Sequence, residues 1–299
     1  MPAILGAEVG PVHHDIDARW LMAYAAALGE SDARYYDTLT AAGPTAHPLF
    51  SVCYEWPAAV AMRDRTIPAD LQPRSVHATH HLVIHRPPRA GDHVLTTVRV
   101  IDLRPRRSGT LIVTRFETTD ADGTRITTTD YGSVYRGVSL PDLGEAGRRA
   151  EAPEGGEASR ANASLSEEAS PPSGAGDTTW ADRVDVPATL ARVYTECARI
   201  WNPIHTDVAV ARAAGLAAPI LHGTATLALA ISRAVEHHAD GEASSVREVS
   251  ARFTGMVAMP STLTVRGRGR AGDGIGFDVV NEAGAPVLTA GTLRFRPRG

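Results

Sequence analysis

No lysine occurs in this chain of 299 residues, so all 30 basic side chains are arginine. Schiff-base catalysis through lysine and the phosphate-gripping lysine of a P-loop are thereby excluded. Cysteine is nearly as scarce. The two present, Cys53 and Cys197, lie in apolar segments and cannot build a disulfide framework, which fits a reducing compartment. The amino terminus lacks a basic start and a long apolar core, and no run approaches about 18 uninterrupted apolar residues. A cytoplasmic chain that is neither exported nor membrane-spanning is expected. The net charge of -4 gives no global reason to expect nucleic acid as a partner. No glycine-rich loop fits a dinucleotide or kinase pattern, and no G-x-S-x-G elbow is available to a serine hydrolase.

With 43% hydrophobic residues the chain can bury a sizeable core, and its length suggests two domains. One composition shift divides it. Residues 144–179 contain a single large aliphatic, Leu165, among Glu, Ala, Ser, Gly and Pro. Such a segment cannot bury enough apolar surface to offset the entropy of ordering, so it reads as a flexible linker. An N-terminal domain over 1–143 and a C-terminal domain over 180–299 remain.

The two parts look like copies of one another. Placed without a gap, residues 14–37 and 184–207 pair Asp15 with Asp185, Ala18 with Ala188, Tyr24 with Tyr194 and Asp37 with Asp207. Each copy continues through a proline into an apolar helix, "HPLFSVCYEWPAAVAM" or "APILHGTATLALAISRAVEHH". Each then closes in alternating strands, with Phe116 matching Phe277 and Gly123 matching Gly284 around the turns "DADG" and "NEAG". A helical segment, a loop, a longer apolar helix and a run of antiparallel strands make an α+β pattern in which the sheet covers the helix.

The stretch "RIWNPIHTD" holds a histidine in a proline-rigid turn, and "LHGTATLA" follows it into a helix. Together they resemble the signature of the MaoC-like, hydratase 2 type enoyl-thioester hydratases: Tyr194, Asn202, Pro203, Ile204, His205, His222 and Gly223 match. The resemblance covers both parts, since two-domain members pair a degenerate amino-terminal copy with an active carboxyl-terminal one. It implies a double hot-dog fold with each long helix wrapped by an antiparallel sheet. It also implies acyl thioesters of CoA or acyl carrier protein as partners, no cofactor and no metal. Further homodimerisation is left open.

The chemistry explains the grouping. Reversible hydration of a 2-enoyl thioester needs one group to take a proton, another to give one, and donors aimed at the thioester oxygen. His205 would be a base with a pKa near working pH. Gly223 would offer a backbone N–H at a helix amino terminus, where developing negative charge is favoured. Asn202 and Pro203 would fix the loop, with Tyr194, Trp201, Pro203 and His222 beside the substrate. One position departs from the family pattern: an aspartate lies five residues before its histidine, where this chain has Ile200 after Ala198-Arg199. Glu30, Glu196 and Asp207 are the candidate replacements, Glu30 because "LGES" puts it opposite Ile200 in the first copy. Otherwise the substrate carries its own carboxylate, or the chain is a catalytically altered hot-dog protein that binds acyl thioesters or serves other acyl-thioester chemistry. A thioesterase would need a carboxylate on the buried helix, and the second copy has none before Glu236.

"VHATHHLVIH" sets His77, His81 and His85 on one strand face, about 13 Å from one to the next, too far apart to share one ion. The arginines of "HRPPRAGD" and "VRGRGRAGD" are either solvated charge or phosphate contacts.

Overall fold

A computed structural model of the chain describes residues 4–143, 177–271 and 274–297. The first part runs β1 (Glu8–Asp15), α1 (Ala18–Ala27), α2 (Ser51–Thr66), β2 (Ser75–Ile84), β3 (His93–Arg106), β4 (Gly109–Asp120) and β5 (Arg125–Arg136). The second repeats the pattern as β6 (Thr178–Val186), α3 (Leu190–Ala198), a short α4 (Val208–Ala213), α5 (Gly223–His238), β7 (Val246–Phe253), β8 (Ser261–Ala271), β9 (Gly274–Asn281) and β10 (Pro286–Phe295). All ten strands form one antiparallel sheet in the order β1-β3-β4-β5-β2-β7-β10-β9-β8-β6. Read from either edge inward, the order within a copy is first, third, fourth, fifth, second. The two second strands pair antiparallel, from Thr79 opposite Arg252 to Val83 opposite Glu248, and so relate the copies by an approximate two-fold. This is the double hot-dog architecture.

Local chemistry explains the elements. Asp17 caps α1 by accepting from the Trp20 amide at 2.7 Å. The two matched hairpins use one turn: Asp120 Oδ1 accepts from the amides of Asp122 and Thr124, and Asn281 Oδ1 from those of Ala283 and Ala285. Gly123 at φ 81° and Gly284 at φ 76° supply the left-handed residue each turn requires. Tyr24 and Tyr194, paired in the sequence copies, meet at the two-fold with hydroxyls 3.3 Å apart. Helix α5 is buried without a break from Ala225 to Ser232, which is why its sequence is apolar almost all round.

Three readings change. Each copy begins with an edge strand ahead of its first helix, and Thr178 and Thr179, assigned to the linker, already belong to β6; the rest of that segment, 144–176, lies outside the described residues. The histidine ladder is broken by a register shift between His77 and Thr79, and a one-residue slip sends a side chain to the other face. His77 therefore stacks between Tyr131 and Phe253, at 3.7 and 4.1 Å between ring centres, while His81 meets Glu248 and His85, beyond the strand, meets Thr128. Among the described residues no group of three His, Cys, Asp or Glu could hold a metal. The arginine clusters are ion-paired: Arg86 with Asp92 and Asp120, and Arg266 and Arg268 both with Asp278.

Candidate active site

Helix α3 ends at Arg199, which takes up the left-handed conformation at φ 58° and ψ 36°. Glycine is the residue for that conformation; here arginine holds it with its guanidinium 4.0 Å above the Trp20 ring. Immediately afterwards Ile200 turns inward, 4% exposed, its amide bonded to the Thr195 carbonyl at 3.0 Å. Asn202 then caps a 3-10 turn, Pro203–His205, accepting from the Ile204 amide at 3.4 Å. His205 donates from Nδ1 to the Ile220 carbonyl at 2.8 Å, which fixes the tautomer and leaves Nε2 unprotonated.

His205 stacks on His222, ring centres 3.7 Å apart. His222 is held in turn by Thr195 Oγ1 at 3.2 Å, and its Nδ1 has no partner. Gly223 follows as the first residue of α5, so its N–H has no intrahelical acceptor. A β-carbon there would come within 3.1 Å of the Phe253 ring, so only glycine keeps this helix end open. Burial pushes the His205 imidazole down to about 4, and burial with the neighbouring His205 pushes His222 to about 2. Both rings are neutral at pH 7. The near-neutral pKa expected for His205 gives way to a lowered one because its own ring is desolvated, stacked against His222.

A cavity of about 610 Å³ opens beside this loop. Asn202, Pro203, His205, His222 and Gly223 line it together, with Ile200 among them. Most of its remaining wall belongs to the first copy: one face of α2 and the concave faces of β3 to β5. Tyr194 does not line it, being fully buried at the two-fold and bonded to Thr224. Nor does Trp201, which is 59% exposed in a separate crevice with Arg192 and Glu196.

The three candidate acids are all engaged elsewhere. Glu30 accepts from Ser232 across the two copies, Glu196 accepts from the Trp201 indole at 3.4 Å, and Asp207 caps α4 through the amides of Ala209 and Val210. None of the three lines the cavity. Among the described residues the one carboxylate that does is Glu55, on α2, which sequence reasoning passed over. Its signal was present: a lone acid inside the apolar run "SVCYEWPAAVAM", with no cation a turn away on either side. It also qualifies the thioesterase argument, since the first copy's buried helix does carry a carboxylate.

Comparison with known proteins agrees with this architecture. Residues 181–288 match the MaoC like domain, and residues 3–129 match the FAS1-like dehydratase domain region. The chain is 44% identical over 81 residues to a fatty acid synthase subunit beta of Aspergillus oryzae, covering 26% of this chain and 4% of that protein. It is 41% identical over 64 residues to the enoyl-CoA hydratase ChsH3 of Mycobacterium tuberculosis, covering 21% of this chain and 22% of that one. The matches thus span under a quarter of those relatives. Among solved structures, a MaoC-like dehydratase from Phytophthora capsici superposes with a TM-score of 0.81 at 20% identity, over 98% of this chain and 96% of that one. A Mycobacterium tuberculosis protein described as a double hot-dog fold gives 0.59 at 17%, over 97% and 95%.

Proposed function

The chain belongs to the MaoC-like dehydratases, and from that premise we propose that it catalyses reversible hydration of a 2-enoyl thioester of CoA or acyl carrier protein. The observation that carries the reading is His205: its Nδ1 is tied to Ile220, its Nε2 lone pair is free, and it shares one cavity wall with the Gly223 N–H at the start of α5. In the hydration direction, water gives a proton to Nε2 as its oxygen bonds to the β-carbon. The double-bond electrons move toward the thioester oxygen, which the Gly223 N–H and the α5 dipole stabilise. The imidazolium then returns its proton to the α-carbon. A ring held near pKa 4 is a weak base but a strong acid once protonated, so it suits a site where one group does both transfers. Ile200 is an apolar wall in this scheme and takes no part in proton transfer.

The acyl chain is assigned to the part of the cavity walled by α2 and β3 to β5; 610 Å³ is an ordinary volume for a small-molecule site. The first copy is thus a degenerate domain that supplies volume, and the second is the one that supplies chemistry.

Ile200 also favours a second reading, a binding protein that holds an acyl thioester without adding water. Loss of the enoyl absorbance separates the two. With crotonyl-CoA and a panel of linear, branched and carboxylated 2-enoyl thioesters, the hydratase reading expects turnover that disappears in His205→Ala. Silence of the wild type across that panel, with the thioesters still binding, leaves the second reading.

A further inference from the structure

Along α2 the cavity is faced by Glu55, Ala59, Met62 and Thr66, a single helix stripe about 16 Å long. Around it the walls mix apolar side chains, with Val52, Val100, Ile112 and Phe116 among them, and polar ones such as Thr114 and Ser133. Glu55 stands at the inner end of that stripe and is 4% exposed. One of its oxygens, Oε1, accepts from Thr129 Oγ1 at 2.6 Å. The Ser51 hydroxyl, one turn earlier on α2, also faces the carboxyl. Thr129 lies two residues before Tyr131 on β5, about 7 Å along the strand, and Tyr131 stacks on His77, whose ring reaches toward Gly223. The carboxyl is therefore set back from the oxyanion end, deeper in the volume assigned to the acyl chain.

We propose that Glu55 selects the substrate by hydrogen-bonding an oxygen function, a hydroxyl or a keto group, carried on the acyl chain beyond the reacting carbons. This rests on the acyl-thioester reading above and names its substrate class. A plain alkyl chain pressed against Glu55 would strip the carboxyl of water and return no hydrogen bond, which is a cost without compensation. An oxygen at the right carbon restores the bond. Burial lifts the carboxyl to about 7, working against its hydrogen bonds with Thr129 and Ser51, so near neutral pH it is available both as donor and as acceptor.

The test uses saturated CoA thioesters of equal chain length that differ by one hydroxyl or keto oxygen, moved carbon by carbon along the chain beyond the α- and β-carbons. Binding is followed by the fluorescence of Trp56, which lines the same cavity. At one or two adjacent positions the oxygenated thioester should bind about 10- to 100-fold tighter than the plain one. Glu55→Gln, which keeps a donor and an acceptor, should retain part of that preference, and Glu55→Leu should invert it. Equal binding of plain and oxygenated chains at every position, or a preference that survives Glu55→Leu, overturns the proposal. If Glu55→Leu does not fold, the wild-type series and Glu55→Gln decide it. Saturated thioesters cannot take up water, so the preference is read whether or not hydration occurs. Hydration without preference removes only this inference, and preference without hydration removes only the catalytic one.

Discussion

Helix α5 is buried continuously from Ala225 to Ser232, whereas α2, after Glu55, is buried only at Ala58, Met62 and Thr66 and fronts the cavity with Trp56, Ala59, Val60, Met62, Arg63 and Thr66. Pro57 and the charged run Arg63-Asp64-Arg65 further separate α2 from its apolar twin. The loops diverge in a complementary way. Where the second copy has Ile200 and His205, the first has Glu30 and Tyr35 at the same spacing. Each copy thus keeps a carboxylate or an imidazole at only one of the two positions, and the two groups are held apart: Glu30 bonds Ser232, and His205 bonds Ile220. A duplicated fold needs only one reaction centre. The freed copy can be hollowed out, because its partner's packed helix and the shared β2 to β7 seam still hold the sheet together.

Breaking the equivalent positions one at a time sharpens that contrast. His205→Ala should lower kcat by about 10²- to 10⁴-fold, the usual loss for a general acid or base, while Tyr35→Phe leaves kcat unchanged in the same absorbance assay. A comparable loss in Tyr35→Phe would mean that the first copy still takes part in the chemistry.

The next largest effect is on stability against pH. His47, His77, His80, His205 and His222 are all held below the unfolded value of 6.5 by burial, His47 and His80 to about 3. Below pH 6.5 the unfolded chain takes up protons that the folded one refuses, so these groups destabilise the fold as pH falls. Glu30 and Glu55 act in the opposite sense. Their folded pKa values are raised by burial, so they add stability as pH drops through the folded value, about 7 for Glu55, toward 4.5. Five groups outweigh two. Urea unfolding at pH 7, 6 and 5 should show stability falling by about 2–4 kcal/mol per pH unit below 6.5. A flat profile would mean that these rings are not neutral and buried together.

The α+β class, the duplication and the identity of the hydratase-like loop were legible in sequence because each rests on local signals. A proline turn capped by Asn202, a glycine at a helix start and two matching hairpin turns lie within a few residues of one another. Less legible was whatever depends on contacts across the molecule. One inserted residue between His77 and Thr79 turned a strand face over, and no periodicity argument detects a bulge it does not expect. The edge strand β6 was hidden because Thr178 and Thr179 follow directly on a polar, small-residue segment. Glu55 reaches the cavity only through the packing of α2 against β5, and the low pKa of His205 is a property of burial. The carboxylates proposed for it were chosen by proximity in sequence, Glu196 and Asp207, or by the alignment of the copies, Glu30, and packing turns all three to other partners.

A smaller effect separates the acid positions. Glu30→Ile gives the first copy the residue found in the second, and it removes one of the two acceptors of the Ser232 hydroxyl, the other being the Ala228 carbonyl, with His47 3.3 Å away. The expected cost is about 1–3 kcal/mol in urea unfolding, with turnover unaltered, because Glu30 does not line the cavity. Lost turnover at unchanged stability would place Glu30 in the reaction instead.

The smallest change expected is a gain. His80 is fully buried on β2, and neither ring nitrogen has a hydrogen-bond partner. Replacing it by leucine keeps an apolar side chain of similar bulk there and removes two buried polar atoms left unsatisfied. His80→Leu should therefore stabilise the fold by about 1 kcal/mol at pH 7 and lower the acid slope by up to about 1.4 kcal/mol per pH unit, the share of one refused proton. Loss of stability at pH 7 would instead mean that a bound water satisfies the ring. The hollow copy would then carry a solvated polar pocket next to His77, rather than an unsatisfied one.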